Sequence, residues 1–162
     1  MPVIYIGLGT NLGDRLANLR EAISRLPPRI QVTAESPIYE TPPWGMTDQP
    51  AFLNMAVKCE TSLKPLALLT RLKRIEVALG RTASVRWGPR LIDMDILFYS
   101  ELVLETPELC IPHPRLHERA FVLVPLADIA PDLVHPVLGK SVSEMLADCK
   151  SEGIKPYDNG CS

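Results

Sequence analysis

Between positions 3 and 99 the apolar residues change their spacing repeatedly, and this limits the possible folds more than any other feature of the chain. Residues 3–9, Val-Ile-Tyr-Ile-Gly-Leu-Gly, form a short, nearly continuous apolar run suited to a central strand. Leu12, Leu16, Leu19, Ile23 and Leu26 then recur at steps of four and three, one stripe of a helix. Pro27-Pro28 stops that helix, because proline brings no amide hydrogen and its ring collides with the preceding turn. From 30 to 36 the period falls to two, with Ile30, Val32 and Ala34 on one side and Gln31, Thr33 and Glu35 on the other. Thr41 to Pro50 breaks every pattern and reads as a loop. A third strand follows, with Leu53, Met55, Val57 and Cys59 facing the core and Phe52, Asn54, Ala56 and Lys58 facing away. Leu68, Leu72, Ile75 and Leu79 mark a second helix from about Lys64 to Leu79, with Gly80 as its C-cap. A loop covers 80–90, and a fourth strand spans 91–99.

Strand, helix, strand, strand, helix, strand is the order of the split βαβ unit, the ferredoxin-like α+β sandwich. Its mainly antiparallel sheet carries helices on one face, which leaves the other for a ligand. From Glu101 to about Lys150 the sequence predicts a short hairpin, a proline-bounded turn (Ile-Pro-His-Pro) and short helices. Residues 150–162 are polar and read as a frayed tail of the same single domain, 1–162. The net charge of -2 gives no reason to expect nucleic acid or an anionic membrane as partner. No apolar run approaches the ~20 residues that cross a bilayer. The N-terminal run lacks a basic leader and a small-residue cleavage site, so it reads as a strand rather than a signal peptide. Cys59, Cys110, Cys149 and Cys161 are too scattered for a metal-ligand set, and reduced thiols in a cytoplasmic protein are expected.

The fourth strand carries the most chemistry. In Leu91-Ile-Asp-Met-Asp-Ile-Leu-Phe, alternation sends Ile92, Met94, Ile96 and Phe98 to one face and Asp93 and Asp95 to the other. Two carboxylates on one strand face stand ~7 Å apart at Cα, suitably placed to hold divalent ions against a phosphate chain. Hard oxygen donors favour magnesium. A solvated pair on an exposed face is the plainer reading of an Asp-x-Asp by itself. The preceding loop changes the balance, because Arg81, Arg86 and Arg90 lie there with no acidic residue among them. Phosphoryl transfer needs that combination, charge neutralisation and positioning with little covalent work. On the third strand, Phe52 and Asn54 face away from the core, where they could stack on and hydrogen-bond to a flat heterocycle, or simply pack.

Familiar phosphate motifs are missing. In Gly7-Leu-Gly-Thr-Asn-Leu-Gly13 the last glycine comes a residue late for a dinucleotide fingerprint. Gly139-Lys140-Ser141 ends like a Walker A loop, but Val134 stands where the first glycine belongs. His113, between two prolines, could hold a phosphate or fix a turn.

These segments together resemble the 6-hydroxymethyl-7,8-dihydropterin pyrophosphokinases of folate synthesis. The matching pieces include Gly9-Thr-Asn-Leu-Gly13, Tyr39-Glu-Thr-Pro-Pro43, Phe52-Leu-Asn54 and Arg86-Trp-Gly-Pro-Arg-Leu-Ile-Asp-Met-Asp95. Ile111-Pro-His-Pro114, Arg119-Ala-Phe121 and Pro125-Leu-Ala-Asp-Ile-Ala-Pro131 follow in order. The resemblance implies a monomer that uses ATP with two magnesium ions held by Asp93 and Asp95. Arg81 and Arg90 would contact the phosphates. Phe52 and Phe121 would sandwich the pterin, with Asn54 and the backbone of Thr41, Pro42, Pro43 and Trp44 reading its edge. Glu76, Trp87, Ile96, Cys110, His113 and Arg119 would hold the nucleotide. This chain departs from the common pattern in a shorter arginine loop, with Thr82-Ala83-Ser84 after Arg81, in Phe52 where tyrosine is frequent, and in a bulky Trp44. The rivals are a non-catalytic metabolite-sensing module on the same sandwich and a simple phosphatase.

Overall fold

The computed structural model describes residues 1–42, 51–80, 92–150 and 153–157. Strand β1 (Val3–Thr10) leads to helix α1 (Arg15–Ser24), then β2 (Ile30–Glu35), β3 (Tyr39–Thr41) and β4 (Phe52–Thr61). Helix α2 (Pro65–Ala78) precedes β5 (Asp93–Tyr99), and β6 (Leu104–Glu105) and β7 (Cys110–Ile111) make a small hairpin. A 3-10 turn (Leu116–Glu118), α3 (Ala120–Ile129), α4 (Val142–Ala147) and β8 (Lys155–Pro156) complete the described chain. The main sheet runs β5-β1-β4-β3-β8, with β2 also paired to β4, and the named pairings are antiparallel. The long central strands and the two helices between them stand in the ferredoxin-like order that the sequence predicts.

The helix boundaries follow local chemistry. Asp14 caps α1 by accepting from the Ala17 amide at 3.1 Å, so the helix starts after Leu12, which is exposed rather than part of the stripe. Leu19 and Leu26 are fully buried, although Leu26 already lies beyond the last helical turn. Pro65 opens α2, where a missing amide hydrogen costs nothing. Gly80 ends it at φ 94°, a left-handed conformation that disfavours side chains, and its amide donates to the Val77 carbonyl at 3.0 Å.

Four expectations change on folding. The sheet is covered on both faces, not one. Ile4, Ile6, Leu8, Met55, Met94 and Ile96 pack with Leu19 of α1 and Leu68 and Leu72 of α2. On the other side, Tyr5, Ala56, Leu97 and Phe98 pack with Leu123 and Leu126 of α3 and Met145 of α4. Hence β4 is buried along both faces, and among the described residues one end of the second face remains for a ligand.

Phe98 also leaves the face on which strict alternation places it. Ile6 pairs with Ile96 but Tyr5 pairs with Phe98, so Leu97 is an extra residue and β5 bulges there. The bulge turns Phe98 onto the α3 side, where its ring meets Tyr5 edge-on at 6.3 Å and His135 at 5.8 Å. Finally, Thr41 ends strand β3 rather than opening the loop, and the tail is not frayed throughout. Lys155 and Pro156 pair with Glu40 and Tyr39, and the Tyr157 amide donates to the Ile38 carbonyl at 2.9 Å.

Candidate active site

Period two in β1 places Ile4, Ile6 and Leu8 in the α1/α2 core and turns Gly7 and Gly9 to the opposite face. Antiparallel register then lines up Asp93, Gly9, Asn54 and Tyr39 across β5, β1, β4 and β3. One step along lie Asp95, Gly7 and Ala56. Two side-chain-free positions therefore separate the carboxylates of β5 from the amide of β4. Phe52 extends the same face of β4, and Phe121 reaches it from the first turn of α3. Gly7, Gly9, Phe52, Asn54, Asp93, Asp95 and Phe121 all line this one narrow cleft.

Both carboxylates are on the ligand side of the sheet, Asp93 half-buried and Asp95 exposed. Asn54 is oriented from behind: the buried Thr41 hydroxyl donates to its Oδ1 at 2.8 Å. The Asn54 Nδ2 is then the end of the amide that looks toward Gly9. A Cβ on Gly9 would stand 2.9 Å from it, too close to be accommodated without moving the amide. Arg15, at the start of α1, donates to Glu40 Oε2 at 2.9 Å and to the Ala51 carbonyl at 3.0 Å, joining the two strand ends that flank residues 43–50. Tyr39 donates its phenolic hydrogen to Asp128 Oδ2, tying β3 to α3. Burial, reinforced by that bond and the Asp128 charge, pushes the Tyr39 hydroxyl up to about 12, so it remains a donor at neutral pH.

A second cleft, of about 280 Å³, opens on the other side of Asp95, between α2, β5 and the β6–β7 hairpin. Ile96, Cys110 and His113 line it, as does Lys73 of α2. The His113 Nδ1 accepts from the Arg115 amide at 3.3 Å, which leaves Nε2 to carry the ring proton. Burial draws the His113 ring below its ordinary value, with Asp95 opposing and Arg119 and Arg115 assisting, so it is neutral at pH 7. Arg119 sets its guanidinium over the Phe121 ring, 5.7 Å from the centroid, and lies in the field of both aspartates. Asp95 is thus common to the two clefts. A larger cavity, about 550 Å³, lies beyond the hairpin and shares Cys110 and His113, but neither aspartate lines it.

The structure therefore brings together Phe52, Asn54, Phe121, Asp93 and Asp95, and sets Ile96, Cys110 and His113 beside them. Thr41 acts behind Asn54, and Pro42 stands exposed at the end of β3, lining neither cleft. Glu76 is buried, its Oε2 accepting from the Met94 amide at 2.7 Å. Pro43, Trp44, Arg81, Trp87 and Arg90 lie outside the described residues. Sequence reasoning missed Gly7, Gly9 and Lys73. Alternation applied to residues 3–9 points to the two glycines; nothing in the sequence marks Lys73 apart from its place one helical turn before Glu76.

Known proteins complete the picture. A sequence profile described as 7,8-dihydro-6-hydroxymethylpterin-pyrophosphokinase (HPPK) matches residues 5–131. The chain belongs to the HPPK family. It is 50% identical over 153 residues to a 2-amino-4-hydroxy-6-hydroxymethyldihydropteridine pyrophosphokinase of Methylorubrum extorquens, covering 93% of this chain and 96% of that one. To the protein of the same name from Aquifex aeolicus it is 41% identical, over 97% and 96% of the two chains. A crystal structure of wild-type Plasmodium falciparum HPPK-DHPS with pteroate superposes with a TM-score of 0.74 at 18% identity. The match covers 91% of this chain but 42% of that one, so this HPPK-family chain spans less than half of its structural neighbour. Membership of the HPPK family favours a catalyst over a sensing module.

Among the described residues no three His, Cys, Asp or Glu side chains gather into a metal-binding group. The two carboxylates of Asp93 and Asp95, on one face of β5, have the donor chemistry that suits magnesium. That ion binds through one or two carboxylates and completes its shell with water and substrate phosphates.

Proposed function

We propose that this chain transfers the pyrophosphoryl group of ATP to the hydroxymethyl group of 6-hydroxymethyl-7,8-dihydropterin, a step of folate synthesis. The position of Asp95 at the junction of the two clefts carries this reading: one cleft has the aromatic walls and amide that suit a flat heterocycle, the other the lining that suits a nucleotide. The pterin oxygen attacks the β-phosphorus in line. A new C–O–P linkage forms as the hydroxyl gives up its proton to solvent, the bond from the β-phosphorus to the oxygen bridging it to the α-phosphorus breaks, and AMP departs.

Phe52 and Phe121 hold the pterin ring between them, and the Asn54 amide, set by Thr41, reads its edge. His113 donates from Nε2 to the nucleotide, and Arg119, Arg81 and Arg90 meet the phosphate charge. Asp93 and Asp95 would hold two magnesium ions, which supply charge neutralisation and a more acidic acceptor hydroxyl when bound. No described helix is long and apolar enough to cross a membrane. The enzyme is proposed to act as a cytoplasmic monomer on small molecules.

Purified protein incubated with ATP, magnesium and the pterin should form AMP and pterin diphosphate in equal amounts, resolved by ion-pair chromatography. AMP formation should stop when the pterin is omitted. Release of inorganic phosphate without an acceptor would instead identify a phosphatase. Gly9→Ala should raise KM for the pterin about tenfold, equivalent to about 1.4 kcal/mol, because the new methyl displaces the Asn54 amide. At Gly7 an added Cβ meets Leu97 at an ordinary 3.4 Å, so Gly7→Ala serves as the milder control; equal effects at both positions would contradict the account.

A further inference from the structure

Among the described residues β5 is an outer strand of the sheet, paired to β1 on one side. Its alternate amides consequently face away from β1, and the one between the two aspartates belongs to Met94. That amide donates to Glu76 Oε2 at 2.7 Å. Glu76 projects from the last turns of α2 and is only 2% exposed. A carboxylate is costly to bury unless strong hydrogen bonds compensate, and a short bond from a backbone amide to a charged acceptor is of that kind. Lys73 Nζ stands 3.4 Å from the other oxygen, but it is half exposed, and water weakens such a pair. Glu76 lines neither cleft.

We propose that Glu76 is a positioning residue for the carboxylate pair, fixing the backbone between Asp93 and Asp95 so that both side chains leave the sheet edge at a set height and angle. This rests on the reading of Asp93 and Asp95 as magnesium ligands. The anchor matters because β5 begins at Asp93, where, among the described residues, the sheet holds the strand through its pairing to β1. A helix packed in the core is a stiffer reference than a strand end, and the bond from the Met94 amide to Glu76 ties the strand to it. Groups that orient metal ligands in this way typically set affinity or activity by about 10- to 100-fold.

Two variants separate the bond from the charge. Glu76→Gln keeps an acceptor oxygen at the same reach and loses the charge. Glu76→Asp keeps the charge and withdraws the acceptor by one methylene. Manganese binding, followed by electron paramagnetic resonance with a non-hydrolysable ATP analogue present, should stay near the parental affinity in E76Q. In E76D it should weaken about 10- to 100-fold. Hydrogen exchange at the Met94 amide should quicken in E76D more than in E76Q, and the loss of turnover should fall on kcat rather than on KM for the pterin. Parental manganese affinity in E76D overturns the proposal. So does an equal loss in both variants, since keeping the acceptor oxygen in E76Q would then have preserved nothing. Asp95→Ala is measured alongside: if it binds manganese like the parent, the assignment of the metal ligands fails, whatever the Glu76 variants do.

Discussion

Asp95→Ala should remove nearly all turnover, about a thousandfold or more, while leaving the protein folded. A lost interaction worth about 4 kcal/mol in the transition state gives that factor at about 1.36 kcal/mol per decade. Charge stabilisation at a transferring phosphoryl group is of that size. Asp95 is exposed and its neighbour across β1 is a glycine, so truncation opens no cavity. The change in stability should stay within about 0.5 kcal/mol, as for other surface substitutions. AMP formation with magnesium as the only divalent ion measures the first quantity, and thermal denaturation the second. Turnover within tenfold of the parent would remove the carboxylate pair from the mechanism.

Phe98→Ala should be the most damaging single truncation for the fold. The ring is 1% exposed and touches Tyr5 and His135 edge-on. Replacing a buried phenylalanine by alanine typically costs about 3–5 kcal/mol through lost burial and the cavity left behind. In a domain of this size that lowers Tm by about 10 °C. The effect should extend to the site, because Phe98 belongs to the seat of α3, whose first turn carries Phe121. Pro125 heightens this dependence: it cannot donate to the Phe121 carbonyl one turn back, so that turn relies more on packing. Urea denaturation of the variant tests the prediction. A loss below about 1 kcal/mol would mean that Phe98 does not form part of the core under α3.

The two predictions draw on different kinds of information. That Asp93 and Asp95 share a face follows from the two-residue repeat of a strand, and the neighbouring arginines say what such a pair could be for. Phe52 and Asn54 share a face for the same reason. The position of Phe98 does not follow, because a bulge inserts one residue and reverses every later side chain, and Leu97 carries no signal of it. Nor does the cover on the second face follow from the repeat in β4. Phe52, Asn54 and Ala56 look solvent-facing as a series, and become buried because α3, distant in sequence, lies over them.

Glu76 shows the same limit at a single residue. Its motif places it among nucleotide ligands, while its carboxylate is turned inward onto the Met94 amide, a partner 18 positions away. Gly9 and Asn54 are 45 positions apart, yet they are adjacent across two strands, and the clearance between them is a property of that pairing alone.

The sequence by itself determined the four main strands and the two helices between them, their order, and the side of each of those strands on which the polar groups stand. Those properties depend on backbone geometry repeated every two or three to four residues, so neighbours in the chain suffice to set them. Tertiary structure alone decided where α3 closes the second face, where β5 bulges, and that Asp95 stands between two clefts. Each of these depends on contacts between residues far apart in the chain, whose closeness the local repeat does not encode.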